Sequence, residues 1–153
     1  MGKDASGGVG AGCGILALTN AVYYLNGSFL NPQTLAEFAL RNGLRVNGVG
    51  TSHSFPEKAA QQFGVSAGFR YVKQTLYDND LIAHLKSGGV ALATVPNHFI
   101  AIVDYDASNN AFLVLDSVPS PNRGTSASGD WKTRAQINSG ALSTSRFFLI
   151  SKR

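Results

Sequence analysis

The apolar pattern of this chain changes period at Val90, and that change restricts the folds open to it. Before Val90, hydrophobic residues recur at helical spacing between caps and glycines. After it they form short, nearly continuous apolar blocks bounded by turn residues. A helical half followed by a strand half predicts an α+β fold, with N-terminal helices packed on a C-terminal antiparallel sheet. At 153 residues the chain suits one domain spanning 1–153, long enough to bury about two thirds of the surface its unfolded form exposes.

The elements follow in order. Ile15 to Gly27 reads as an apolar helix that starts at Gly12-Cys13-Gly14. Asn31-Pro32 supplies a cap and a first-turn proline for a second helix, Leu35, Phe38, Ala39 and Leu40 give it a stripe, and Asn42-Gly43 stops it. Gly48 to Ser52 reads as a flexible turn. Ser54 and Glu57 have capping-box spacing, opening a helix through Ala59, Ala60 and Phe63 that ends at Gly64. Asp80 to Lys86 is a further short helix, closed by Gly88-Gly89. Strands are expected at Val90 to Val95, Phe99 to Tyr105, Ala111 to Leu115 and Arg146 to Ser151. Ser117 to Ser145 reads as a long polar loop around Trp131, and loops of that length are usually functional or partly disordered.

Hydrophobic residues are 44% of the chain and charged residues 14%, the balance of a globular protein. No apolar run approaches the roughly 18 residues of a membrane span, so no membrane insertion is expected. The net charge is +4, but the basic residues are scattered. A nucleic-acid footprint needs a patch or stripe, so no nucleic-acid partner is expected either. The one cysteine excludes an internal disulfide and a multi-cysteine zinc site. His53, in a turn, and His84, on a short helix, read as surface or packing residues, and no ligand spacing links them with His98 into a metal site. Trp131 and Tyr71 read as packing residues rather than ligand stackers, with the lining of a substrate groove as the alternative for Trp131 in the long loop.

Cys13 stands between glycines at a helix start. Backbone N–H groups point outward there, and their field favours thiolate, drawing a thiol from about 8.5 into the range of roughly 3.5 to 7.5. His98 heads the second strand and Asp116 ends the third. A hairpin centred on Ser108 sets Asp116 across from Ile100 and diagonal to His98, on one face with Ile100 and Ile102. Asp116 is then placed to orient the imidazole toward a nucleophile. Cysteine on a helix start, histidine on a strand and aspartate on the next strand is the order of a papain-like triad.

On these residues the sequence resembles the stand-alone relatives of the bacterial double-glycine leader (bacteriocin-processing) peptidases, a papain-like group. The resemblance is carried by Gly12-Cys13-Gly14, Gly50-Thr51-Ser52, His98-Phe99-Ile100 with Val103-Asp104-Tyr105, and Val114-Leu115-Asp116. It implies a papain-like cysteine peptidase domain that hydrolyses peptide bonds through a Cys13-His98-Asp116 triad and a thioester intermediate. It implies a peptide or protein substrate, no cofactor, and a secreted or cell-surface bacterial protein. The family's usual Pro-Thr after the cysteine motif is Ile15-Leu16 here, the Gly before the histidine is Asn97, and the Pro after the aspartate is Ser117. The Gln that commonly precedes the cysteine as an oxyanion donor has no counterpart in residues 1–12. Loss of one such donor costs about 100- to 1000-fold in rate.

Two other functions share these residues: a cell-wall amidase or acyl or peptidyl transferase with the same nucleophile, acting on cell-wall peptides in the first case, and a catalytically silent peptide-binding domain. The sole methionine, Met1, followed by a Gly/Ser-rich segment suggests a trimmed or mature form whose export signal has been removed.

Overall fold

The computed structural model describes residues 13–46, 50–95, 98–116, 129–138 and 146–153. Its centre is an antiparallel six-stranded sheet in the order β3-β8-β4-β5-β6-β7. The strands are β3 (Phe69–Thr75), β4 (Val90–Val95), β5 (His98–Asp106), β6 (Ala111–Leu115), β7 (Asp130–Thr133) and β8 (Phe147–Lys152), and Arg45–Val46 (β1) pairs separately with Gly50–Thr51 (β2). The helices are α1 (Cys13–Asn26), α2 (Pro32–Arg41), α3 (Phe55–Ala67), α4 (Asp78–Lys86) and α5 (Arg134–Asn138). The chain is therefore α+β, with helices on an antiparallel sheet, as the change of period at Val90 predicts.

Local chemistry explains most of the boundaries. The Asn31 side chain accepts from the Gln33 and Thr34 backbone N–H groups and Pro32 opens α2, so that helix starts where its cap requires. Ser54 precedes α3 but makes no side-chain cap; its hydroxyl lies 2.9 Å from that of Ser52 instead. Nor does α3 end at Gly64. It runs to Ala67 and closes on Gly68, whose φ of 79° is a left-handed conformation suited to glycine. Gly64 serves packing: a Cβ there would collide with the Phe69 carbonyl oxygen, so its absence lets α3 lie against the start of β3.

Three further differences from the sequence reading concern strands. Gly50 and Thr51 are paired in a short hairpin rather than free in a turn, while residues 47–49 lie outside the described part. β3 has no counterpart among the expected strands, because only its first and last residues are buried, which leaves no alternation to detect. The stretch expected to be a long loop contains β7 and α5; its remaining residues, 117–128 and 139–145, lie outside the described part.

Two apolar clusters cover the two faces of the sheet. On one, Ile15, Leu18, Val22 and Leu25 of α1 meet Leu92, Phe99, Ala101, Val103 and Phe148. On the other, Leu81 and Leu85 of α4 and Ile137 of α5 meet Ile100, Ile102, Val114 and Phe147. The end of α1 is tied down by Asn26, whose side-chain amide donates to the Ala67 carbonyl at 2.9 Å and the Gly68 carbonyl at 3.1 Å, beside the first residue of β3. Two residues earlier, the Tyr24 hydroxyl bonds the Asp104 carboxylate of β5.

Gly64→Ala separates helix propensity from packing. Alanine is the better helix former by about 1 kcal/mol, whereas overpacking against the β3 backbone costs about 1–3 kcal/mol. Urea unfolding is expected to show a net loss of stability; a gain would contradict the close approach of α3 to Phe69.

Candidate functional site at the rim of the sheet

The direction of α1 fixes the location of Cys13. Tyr24 touches Asp104, and the rise from Tyr24 back to Cys13 is about 16 Å at 1.5 Å per residue. The same distance along β5, at about 3.3 Å per residue, leads from Asp104 back to Phe99. With Tyr24 and Asn26 held at the far end, a helix that packs along β5 opens toward the level of the first residues of that strand. Cys13 opens the helix and His98 opens the strand. For these two residues the backbone alone is described.

Asp116 follows the last residue of β6. The pairs Tyr105 with Phe112 and Asp106 with Ala111 give the register next to the turn, and a bulge at Val103 shifts it by one, so that Ile102 pairs with Val114 and Ala101 with Leu115. Beyond the bulge this is the register expected from the sequence, and it carries Asp116 to the level of Ile100. Asp116 is 4% exposed. A buried carboxylate needs a partner, and Asp116 has one. The starts of α1 and β5 and the end of β6 thus gather at one end of the sheet.

They gather at its rim rather than on one face. Ile100 and Ile102, the residues expected to flank the imidazole, lie on the side of α4, whereas α1 covers Phe99, Ala101 and Val103. A reaction that joins positions 13, 98 and 116 has to take place around the sheet edge, where the chain ends of several elements meet.

His53 lies at the same end. Its ring packs edge-on to Phe99 at 6.2 Å between centroids and tilted against Phe148 at 5.9 Å, one residue from His98 along the strand. Partial burial holds its imidazole below the ordinary histidine range, and the positive charge of Arg146 adds to the effect. Arg146, just before β8, is fixed through its backbone: its N–H donates to the Thr94 hydroxyl at 3.0 Å and its carbonyl accepts from the Thr94 N–H at 3.0 Å. The sequence reading makes His53 a surface or packing residue and does not bring Arg146 to this end. His53 does pack, and the only local signal of its place was the preceding Gly50-Thr51-Ser52 stretch.

His84 is a structural histidine. Its Nε2 lies 3.0 Å from the Val90 carbonyl and 2.8 Å from the Ile150 carbonyl, joining α4 to the sheet. Tyr71 packs against the α1-side cluster, whereas Trp131 on β7 is half exposed. Among the described residues no three histidine, cysteine or acidic side chains converge as a metal site.

No family model and no curated protein matches the sequence. Among solved structures, the chain is similar to the N-terminal peptidase C39-like domain of the toxin secretion ATP-binding protein from Vibrio parahaemolyticus. The two share 16% identity and superpose with a TM-score of 0.54, over 90% of this chain and 97% of that domain. At that identity the likeness establishes the fold: this chain has the papain-like, C39-like arrangement of helices on an antiparallel sheet.

The electrostatics at the rim predict a direction of titration. A histidine whose folded pKa is lowered adds stability above its unfolded value of about 6.5, and that stability is lost as the pH falls through the folded value. An NMR titration should show His53 protonating below pH 6.5, with Arg146→Gln moving it partway back up. A midpoint at or above 6.5, or one unmoved by the substitution, would contradict the burial and the charge described.

Proposed function

We propose that this chain is a cysteine peptidase, related in mode of action to the double-glycine leader peptidases, with Cys13 as nucleophile, His98 as acid and base, and Asp116 as the residue that orients His98. One observation carries the reading: the register of β5 and β6 brings the buried carboxylate of Asp116 level with the first residues of β5, where His98 stands, in a fold also found in a peptidase C39-like domain, and Cys13 opens the helix packed on that strand. The sequence places on those three positions the residue types that thiol acyl transfer needs.

The chemistry follows from those roles. The Cys13 sulfur, held as thiolate beside His98 and at the start of α1, attacks the carbonyl carbon of a peptide bond. The carbonyl oxygen becomes an oxyanion, stabilised in part by the Cys13 backbone N–H. Collapse breaks the C–N bond as His98 gives its proton to the leaving amine, leaving a thioester on Cys13. His98 then takes a proton from water, whose oxygen attacks the thioester, and the acid product departs with the thiolate restored. Asp116 holds the imidazole in the tautomer that serves both steps.

Incubation with a mixed peptide library, read by mass spectrometry, is the direct test. The native protein should cleave, and should yield an acyl adduct of Cys13 on acid quench. Cys13→Ala should abolish turnover, and Asp116→Asn should lower kcat by up to about 10⁴-fold with little change in KM. Hydrolysis unchanged in Cys13→Ala would overturn the reading, as would binding without cleavage in the native protein. Release of muropeptides alone, from purified peptidoglycan, would transfer the same chemistry to a cell-wall amidase.

A further inference from the structure

The same rim carries a groove that the triad does not use. It has a volume of about 350 Å³ and lies between the end of β3, the turn into α4 and the start of β8, bounded by Lys73, Thr75, Leu76, Tyr77, Asp80 and Arg146. We infer that this groove is a subsite for a carboxylate of the peptide substrate, held by the Arg146 guanidinium about three residues from the bond that is cleaved. The inference deepens the proposed peptidase function and rests on it for the position of the scissile bond.

The charges of the groove leave one cation over. Asp80 is committed, accepting from the Thr75 hydroxyl at 2.6 Å and pairing with Lys73 at 3.5 Å. Its carboxyl is held below the usual carboxylate range, first by the Thr75 bond and then by Lys73. Lys73 and Asp80 therefore cancel. Asp78, in the same first turn of α4, is paired with Arg134 at 2.8 Å. Among the described residues no carboxylate pairs with Arg146, and its charge is felt at His53. An arginine of this kind presents a planar fork that suits bidentate recognition of a carboxylate.

Position links the groove to the triad. The backbone of Arg146 is bonded in both directions to Thr94 of β4, and Thr94 pairs with Phe99, the neighbour of His98 on β5. Two strand spacings separate β8 from β5, about 10 Å in all. An extended peptide covers that distance in about three residues. The exposed rings and methyl groups of Tyr77 and Leu76, at 72% and 55% exposure, form an apolar flank for the aliphatic stem of a glutamate or for the residue beside it.

The carboxylate has two possible sources, an acidic side chain or the peptide C-terminus, and one titration distinguishes them. Nitrogen-15-labelled protein is titrated at low salt with three pentapeptides: an acetylated and amidated one bearing a single Glu, its Gln analogue, and an all-Ala peptide with a free C-terminus. The Glu or the free-carboxylate peptide should shift the Thr94, Lys73 and Arg146 signals and bind about fivefold more tightly than the Gln analogue. Arg146→Lys should retain part of the preference and Arg146→Glu should abolish it, with the remaining amide signals reporting that the fold is intact. Equal binding of the Glu and Gln peptides with no response to the free terminus, a preference surviving Arg146→Glu, or no shift at these residues would overturn the subsite. Because the readout is binding, it stands apart from turnover: carboxylate binding in a protein whose Cys13 is unreactive would sink the peptidase reading alone.

Discussion

The burial of α1 against the centre of the sheet sets the position of every group considered for function. Ile15, Leu18 and Val22 are fully buried, and they meet Phe99, Ala101 and Phe148 from two different strands. Side chains of this kind contribute about 1.5–3 kcal/mol each when removed from water. That contact holds the helix in register with β5. Tyr24 on Asp104 and Asn26 on the α3–β3 turn then fix which end of the helix faces which end of the sheet. The first residue of α1 is carried to the rim by the length of the helix, and the hairpin of β5 and β6 brings positions 98 and 116 to the same rim by its own register.

Much of this was legible locally. A cap such as Asn31-Pro32 acts within four residues, and a hairpin register follows from a turn of four, so α2 and the pairing of β5 with β6 could be read directly. The bulge at Val103 was hidden, because an inserted residue leaves no mark when both faces of the strand are buried. Edge strands were lost for the opposite reason. β3 and β7 each expose much of their length, and their sequences read as polar chain rather than as half-buried strand. Gly64 shows a related limit: a glycine inside a helix looks like a stop until its neighbour, the Phe69 backbone, is known.

The candidate site divides along the same line. The three candidate residues are legible by type and order, and the common level of positions 98 and 116 by strand register. Their relation to the faces of the sheet is not, since Ile100 and Ile102 prove to lie on the α4 side. Nor could sequence bring His53 onto Phe99 and Phe148, or Arg146 against Thr94, because these contacts join segments far apart in the chain. The rim is therefore richer in charge and aromatic contact than the triad by itself. His53 is disposed to remain neutral beside a cation, and among the described residues that cation, Arg146, lines the groove without pairing with Asp80.

The central claim is that Cys13 is a nucleophile maintained by its helix start and by His98. The pH dependence of iodoacetamide alkylation, followed by intact mass on the native protein and on His98→Ala, tests it most directly, since the chain has one cysteine and a thiol adduct can only be on Cys13. The result predicted is rapid alkylation with a midpoint well below the ordinary thiol value of about 8.5, shifted back toward it in His98→Ala. A native thiol that titrates near 8.5, or the same profile in both proteins, would contradict it.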